Sequence, residues 1–199
     1  IIEKLKKENQ VEYEPAQIMV SPGGKSALAH VLMAILDSGD EVLLPAPYWL
    51  SYSELINLNG AKANVVSASA QEQYKVTPEK LQAALTPRTK LLMLNSPNNP
   101  TGTVYSKKEI TALANFALEN NILLLSDEIY EKLIYDGVEH FSPAAISKKH
   151  YENTIIINGF SKAYAMTGWR LGYAAGCKEI IRSAAKIQSH TTSNPCTIS

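Results

Sequence analysis

Seven short apolar runs punctuate the sequence, each divided from the next by a helix-periodic or turn-rich stretch. That alternation is the signature of βαβ units, because a crossover helix is the usual way to return one strand parallel to the last. The runs are Ile18–Val20, Glu41–Leu44, Ala63–Val66, Leu91–Leu94, Ile122–Leu125, Thr154–Ile157 and Leu171–Ala175. Helical signals fill the gaps between them. Apolar residues at 28, 31, 32, 35 and 36 draw a stripe along Lys25–Leu36, closed by Asp37-Ser38-Gly39-Asp40. Thr77-Pro78 supplies a cap and a first-turn proline, and Ser106-Lys107-Lys108-Glu109 has capping-box spacing ahead of Ile110–Leu118. Together these predict a three-layer α/β/α fold with a mostly parallel seven-stranded sheet, one domain over residues 1–199. The chain starts at Ile1 without a methionine and stops soon after the turn Thr191-Thr192-Ser193-Asn194-Pro195, so a fragment of a longer protein is expected.

Charge narrows the function. Lys+Arg and Asp+Glu both number 19, giving a formal net charge of +0, so no excess of positive charge exists to neutralise a phosphate backbone or an anionic bilayer. Nucleic acid and membrane are excluded as main partners. The longest apolar runs fall far short of the ~18 residues of a membrane span. IIEKLKKENQ lacks the layout of a signal peptide, so a soluble, cytoplasmic protein is expected. Cys177 and Cys196 are too few for a disulfide framework, and the histidines at 30, 140, 150 and 190 are scattered. Free thiols and no structural metal follow.

In sheets of this type ligands sit beyond the carboxyl ends of the strands, which makes the residues just after each run the ones to read. After the first come Ser21-Pro22-Gly23-Gly24-Lys25-Ser26, where glycines let backbone N–H groups approach an anion at a helix start. This is no P-loop, since GxxxxGK[ST] needs glycine where Met19 stands. A plain helix-start turn fits the same residues. Pro45-Ala46-Pro47-Tyr48-Trp49 offers an indole to stack on a flat ring, although tryptophan also serves cores and interfaces. Asn95 to Gly102 forms a turn-rich loop with side-chain amides, which suits a ligand or a bare connector. Asp127 ends a wholly apolar strand, where a carboxylate needs a cationic partner or a role as helix cap. Lys162 follows the sixth run, at what reads as the buried end of a strand, where a lysine can become a nucleophile toward a carbonyl. Arg170 lies shortly after it. An anion cradle, an aromatic plate, amides, a carboxylate, the phenol of Tyr130, a lysine and an arginine on one rim call for a ligand that is planar and phosphorylated, basic at a ring nitrogen, and an aldehyde. Pyridoxal 5'-phosphate meets all four demands.

At these residues the sequence resembles the fold-type I pyridoxal-phosphate enzymes, specifically class I aminotransferases of the aspartate aminotransferase kind. The resemblance runs through GGKSAL at 23–28, PYW at 47–49, SPNNPTG at 96–102, SDEIYE at 126–131 and SKAYAMTGWRLGY at 161–173. It implies that Lys162 holds the cofactor as a Schiff base, Asp127 pairs with its protonated ring nitrogen, and Tyr130 and Asn99 bind the ring 3'-oxygen. Trp49 would stack on the ring and, with Asn99, face the substrate. Gly24, Lys25 through its backbone N–H, Ser161 and Arg170 would surround the phosphate. Gly159 stands where some branches of the family have a phosphate-binding serine, so one hydroxyl contact is expected to be missing.

The implied reaction moves an amino group from an L-amino acid, aspartate-like by preference, to a 2-oxo acid. The resemblance also implies an N-terminal arm, a small domain and a homodimeric partner outside residues 1–199, which alone would be inactive. A lyase, a cyclopropane-carboxylate synthase or an aromatic aminotransferase would use the same Lys162, Asp127 and Tyr130, and a regulator's sensor domain would bind the cofactor without turnover. Ser183-Ala184-Ala185-Lys186 fits the SxxK of serine acyl-enzymes but lies in a helical pattern without partner motifs.

Overall fold

Each apolar run forms a strand in the computed structural model, which describes residues 1–199. The strands are β1 (Ile18–Ser21), β2 (Glu41–Ala46), β3 (Lys62–Ser67), β4 (Thr89–Asn95), β5 (Leu123–Asp127), β6 (Thr154–Gly159) and β7 (Gly172–Ala175). They form one sheet in the order β1-β7-β6-β5-β4-β2-β3. β3, β2, β4, β5 and β6 run parallel, while β7 is antiparallel to both β6 and β1. Bounds differ from the sequence expectation by a residue or more at several ends; Leu171 and Ile122 fall just outside their strands, and β4 begins earlier, at Thr89.

Seven α-helices cover the sheet: α1 (Ile2–Asn9), α2 (Gly24–Ile35), α3 (Ser51–Asn57), α4 (Pro78–Ala84), α5 (Lys107–Glu119), α6 (Lys148–Asn153) and α7 (Lys178–Thr191). Ser106 caps α5 through the expected reciprocal box with Glu109. Thr77 precedes Pro78 at the start of α4 but its side chain makes no cap hydrogen bond, so the proline alone marks that start. Ser183 and Lys186 lie exposed on α7, as a surface helix requires.

Strand alternation divides the core between two faces. Leu91, Met93, Ile155 and Ile157 join α2 and α7 residues such as Leu28, Leu32 and Ile181 in one cluster. Leu92, Leu94 and Leu124 pack on α5 through Ile110, Leu113 and Phe116. Ile156 and Tyr173 turn to the same side as a third cluster with Leu5, Val11 and Tyr13, which holds the N-terminal segment down. β6 is buried along its whole length, as a strand covered on both faces must be.

One contact fixes how the first loop meets the last strand. A Cβ on Gly172 would lie 2.3 Å from the Gly24 nitrogen and 2.4 Å from the Gly23 carbonyl carbon, so main chain rests directly on main chain there. Gly23 itself has φ 88, a conformation that costs glycine little. Gly172→Ala is therefore expected to destabilise the protein by about 2–3 kcal/mol and to push the start of α2 away from β7. Urea denaturation measures the first effect; an unchanged midpoint would contradict the contact.

Candidate active site

Strand register decides which loops meet. Ser21 pairs with Gly172, and Gly172 with Gly159, so the end of β1, the start of β7 and the end of β6 form one row. Because β7 is antiparallel to β6, the Phe160–Leu171 connection leaves and re-enters the sheet at the same end, carrying both Lys162 and Arg170 there. Asp127 pairs with Asn95 on one side and with Ile157 on the other, which brings the loops after β4 and β5 to that end as well. Next to β4 stands β2, whose chain continues into Trp49.

These loops enclose a pocket of about 300 Å³. Gly24 and Lys25 line it from the start of α2, Trp49 from the loop after β2, and Asn99 from the loop after β4. Asp127 and Tyr130 contribute from the end of β5, and Ser161, Lys162 and Arg170 from the β6–β7 connection. All nine site residues expected from the sequence thus face one space. Tyr52, Ile129 and Thr167 complete its lining and were not expected.

The floor is Asp127, 4% exposed. Its Oδ2 accepts from the Tyr52 hydroxyl at 2.6 Å and its Oδ1 from the Ile129 N–H at 3.2 Å. No lysine, arginine or histidine of the chain pairs with it, and its only partners are these two neutral donors. Burial therefore pushes its carboxyl up to about 6, against the pull of the Tyr52 hydroxyl and the Ile129 N–H; neighbouring Glu128 adds to the rise. Tyr52 is raised well above the phenol range by burial and by Asp127, so it stays a donor. It escapes a reading confined to strand ends because it sits in α3, one helical turn beyond Trp49, whose ring it meets edge-on at 5.4 Å.

The walls are more open. Lys162 is exposed, correcting the expectation of a buried strand end: β6 stops at Gly159 and the chain climbs out of the sheet through Phe160 and buried Ser161. Its ammonium lies 5.9 Å from the centre of the Tyr130 ring. Burial raises the Tyr130 phenol and the Asp127 charge adds to that, while the Asn99 side chain pulls it down. The Lys25 ammonium sits 4.9 Å from the centre of the Trp49 ring. Arg170 adopts φ 50 and donates through Nη1 to the Thr167 carbonyl at 3.0 Å, and its guanidinium fills the space where a Gly23 side chain would be. The first N–H groups of α2 have no partners within the helix, so cradle and guanidinium together favour an anion. A Cβ on Gly159 would lie 2.9 Å from the Leu171 carbonyl oxygen and 3.0 Å from the Gly172 Cα. Any side chain at 159, a serine included, would require β7 to move.

An Asp127 pKa of about 6, above the ordinary 3.8, makes ionisation a cost to folding that is absent below pH 3.8 and complete above about pH 6. Cofactor-free Asp127→Asn protein should therefore exceed the parent in stability by on the order of 3 kcal/mol at neutral pH, and the gap should close as pH falls toward 4. Tyr52→Phe, which removes a donor to the carboxylate, should move the same transition to higher pH. Urea denaturation across this pH range reads both; a pH-independent gap would show that Asp127 ionises without penalty.

Comparison with known proteins gives the family and agrees with the fold. The aminotransferase class I and II family matches residues 1–199. An aspartate aminotransferase of Bacillus sp. (strain YM-2) is 51% identical over 199 residues, covering 100% of this chain and 51% of that protein. The crystal structure of the aspartate aminotransferase from Rhizobium meliloti superposes with a TM-score of 0.96 at 43% identity, over 99% of this chain and 50% of that one. An aromatic aminotransferase from Pyrococcus horikoshii OT3 gives a TM-score of 0.95 at 40% identity, over 98% of this chain and 52% of that one. The chain spans about half the length of the curated relatives it matches. With the family matched from end to end of a chain whose fold superposes on that of its relatives, the protein belongs to the class I and II aminotransferases.

Proposed function

We propose that the protein is a pyridoxal-phosphate-dependent aminotransferase that moves an amino group between an L-amino acid and a 2-oxo acid, with residues 1–199 as its cofactor-binding large domain. One observation carries the reading: a buried carboxylate without a cation, Asp127, faces the same pocket as an exposed lysine and a glycine-lined helix start. These residues suit the cofactor. Asp127 is the partner for a protonated ring nitrogen, and its burial makes such a pair strong. Gly24, the Lys25 backbone, Ser161 and Arg170 suit the phosphate; Tyr130 and Asn99 suit the ring oxygen; Trp49 suits the ring face. When bound, pyridoxal phosphate supplies the conjugated electron sink that transamination requires. Lys162 would hold the cofactor through Nζ, and its free amine would serve as general base for the donor's α-proton. Asp127 stays ionised once a cation lies beside it, and the Tyr52 hydroxyl holds it in that state and in that orientation. Tyr130 and Asn99, which line the same pocket as Lys162, would orient the ring for proton transfer to and from that amine.

The names of the relatives support aspartate as donor, and the Pyrococcus horikoshii structure supports an aromatic amino acid as second reading. A homodimer is part of the proposal, supported by apolar side chains left exposed at Leu50, Leu58 and Tyr135. Two free cysteines suit the cytoplasm, and no helix is long and apolar enough to cross a membrane. In the intact protein, borohydride reduction after pyridoxal phosphate addition should label Lys162 alone. Lys162→Ala should lower amino transfer from aspartate to 2-oxoglutarate by at least about a thousandfold. Label on Lys25 would overturn the lysine assignment, ammonia release without a 2-oxo acid requirement would mark a lyase, and preference for phenylalanine over aspartate would favour the aromatic reading.

A further inference from the structure

Beside the pocket, around Gly159, lies a second cavity of about 80 Å³ lined by Lys4, Glu131, Asn158, Tyr164 and Tyr173 among others. Its polar wall is one connected network. Glu131, 8% exposed, accepts at Oε1 from the Lys4 ammonium of α1 and from Asn158 Nδ2 at 2.8 Å, and at Oε2 from Asn9 Nδ2 at 2.9 Å. Burial pushes its carboxyl up, yet the Lys4 ammonium and these donors outweigh that and hold it below the ordinary carboxylate range. Asn158, 1% exposed, uses its other end to accept the Gly159 N–H at 2.7 Å.

Glu128, Glu131 and His140 bring potential ligand atoms within 4.8 Å of one another. They do not make a metal centre. Both Glu128 oxygens already accept, Oε1 from Ser126 and Ser142 and Oε2 from His140 and Asn9, and the resident cation at Glu131 is Lys4. The network points instead at the main chain. Asn158 and Gly159 are the last residues of β6, and the chain leaves the sheet from them through Phe160 and Ser161 to Lys162. Its amide donates to one carboxylate and accepts from one N–H, so its orientation is set by Glu131.

We propose that Glu131 is a positioning residue for Lys162: paired with the Lys4 ammonium, it locks the Asn158 amide, which fixes Gly159 and hence the direction in which the lysine-bearing loop leaves the sheet. The proposal rests on the reading of Lys162 as the cofactor lysine. Glu131→Gln keeps the shape but puts an N–H₂ where one carboxylate oxygen accepted. Lys4→Met removes the ammonium, and with it the bond to Asn9 Oδ1 at 2.7 Å, while Lys4→Arg restores a cation.

In the intact protein loaded with pyridoxal phosphate, the pH midpoint of the Lys162-dependent visible absorbance reports the setting of that amine. Glu131→Gln should shift the midpoint by at least about half a pH unit and lower kcat at least about tenfold, with KM for the amino donor within about twofold. Lys4→Met should move both in the same direction, the double variant should be no worse than Glu131→Gln alone, and Lys4→Arg should recover the parent values. Wild-type midpoint and kcat in Glu131→Gln, with only Tm lowered, would overturn the proposal. If Glu131→Gln does not fold, Lys4→Met decides on the same two readouts. A wild-type protein with no absorbance lost on Lys162→Ala would overturn the cofactor reading and this inference with it; a normal wild-type band with unshifted variants would overturn this inference alone.

Discussion

A negative charge buried at the end of β5 without a cation of its own is the constraint around which the pocket is arranged. Water cannot screen Asp127, and two neutral donors only partly replace it. Such a group is tolerated because the rest of the sheet is well packed: two apolar clusters hold the strands from both faces, and the penalty falls on one residue. The same burial that destabilises the unpaired carboxylate would strengthen any pair it made with a cation, so the cost of the charge and the strength of such a pair have one origin.

Most of the fold was legible because its signals are local. Seven apolar runs, the stripe on α2 and the box at Ser106 each report on a few neighbouring residues, and each formed the expected element. The antiparallel placement of β7 was not legible, since the direction of a strand depends on a partner distant in sequence. The pocket-lining residues that follow β1, β2, β4, β5 and β6 were legible for a related reason: these strands all end on one side of the sheet. Tyr52 was not, because its role comes from a hydroxyl that meets Asp127 across the pocket, and a tyrosine in a helix reads equally well as core packing. Lys162 was assigned to the right place but the wrong environment. A run of apolar residues tells where a strand lies and little about how sharply the chain turns away after it.

The N-terminal segment shows how a peripheral element joins the site without touching it. Leu5, Val11 and Tyr13 bury α1 and the chain after it against Ile156 and Tyr173, while Lys4 and Asn9 reach inward to Glu131. Apolar contact supplies the attachment, and the buried ion pair makes that attachment specific in register, since a slipped helix would strand a carboxylate in the interior.

Where Gly23, Gly24, Gly159 and Gly172 meet, the distance between the anion cradle and the lysine loop is a main-chain dimension, set by van der Waals contact between backbones. Side chains around the pocket can be exchanged to suit different substrates while that dimension stays constant. A scaffold gauged in this way can change what it recognises without re-measuring the span between the helix start and the lysine-bearing loop, and this separates the variable lining of the pocket from the part whose spacing is fixed.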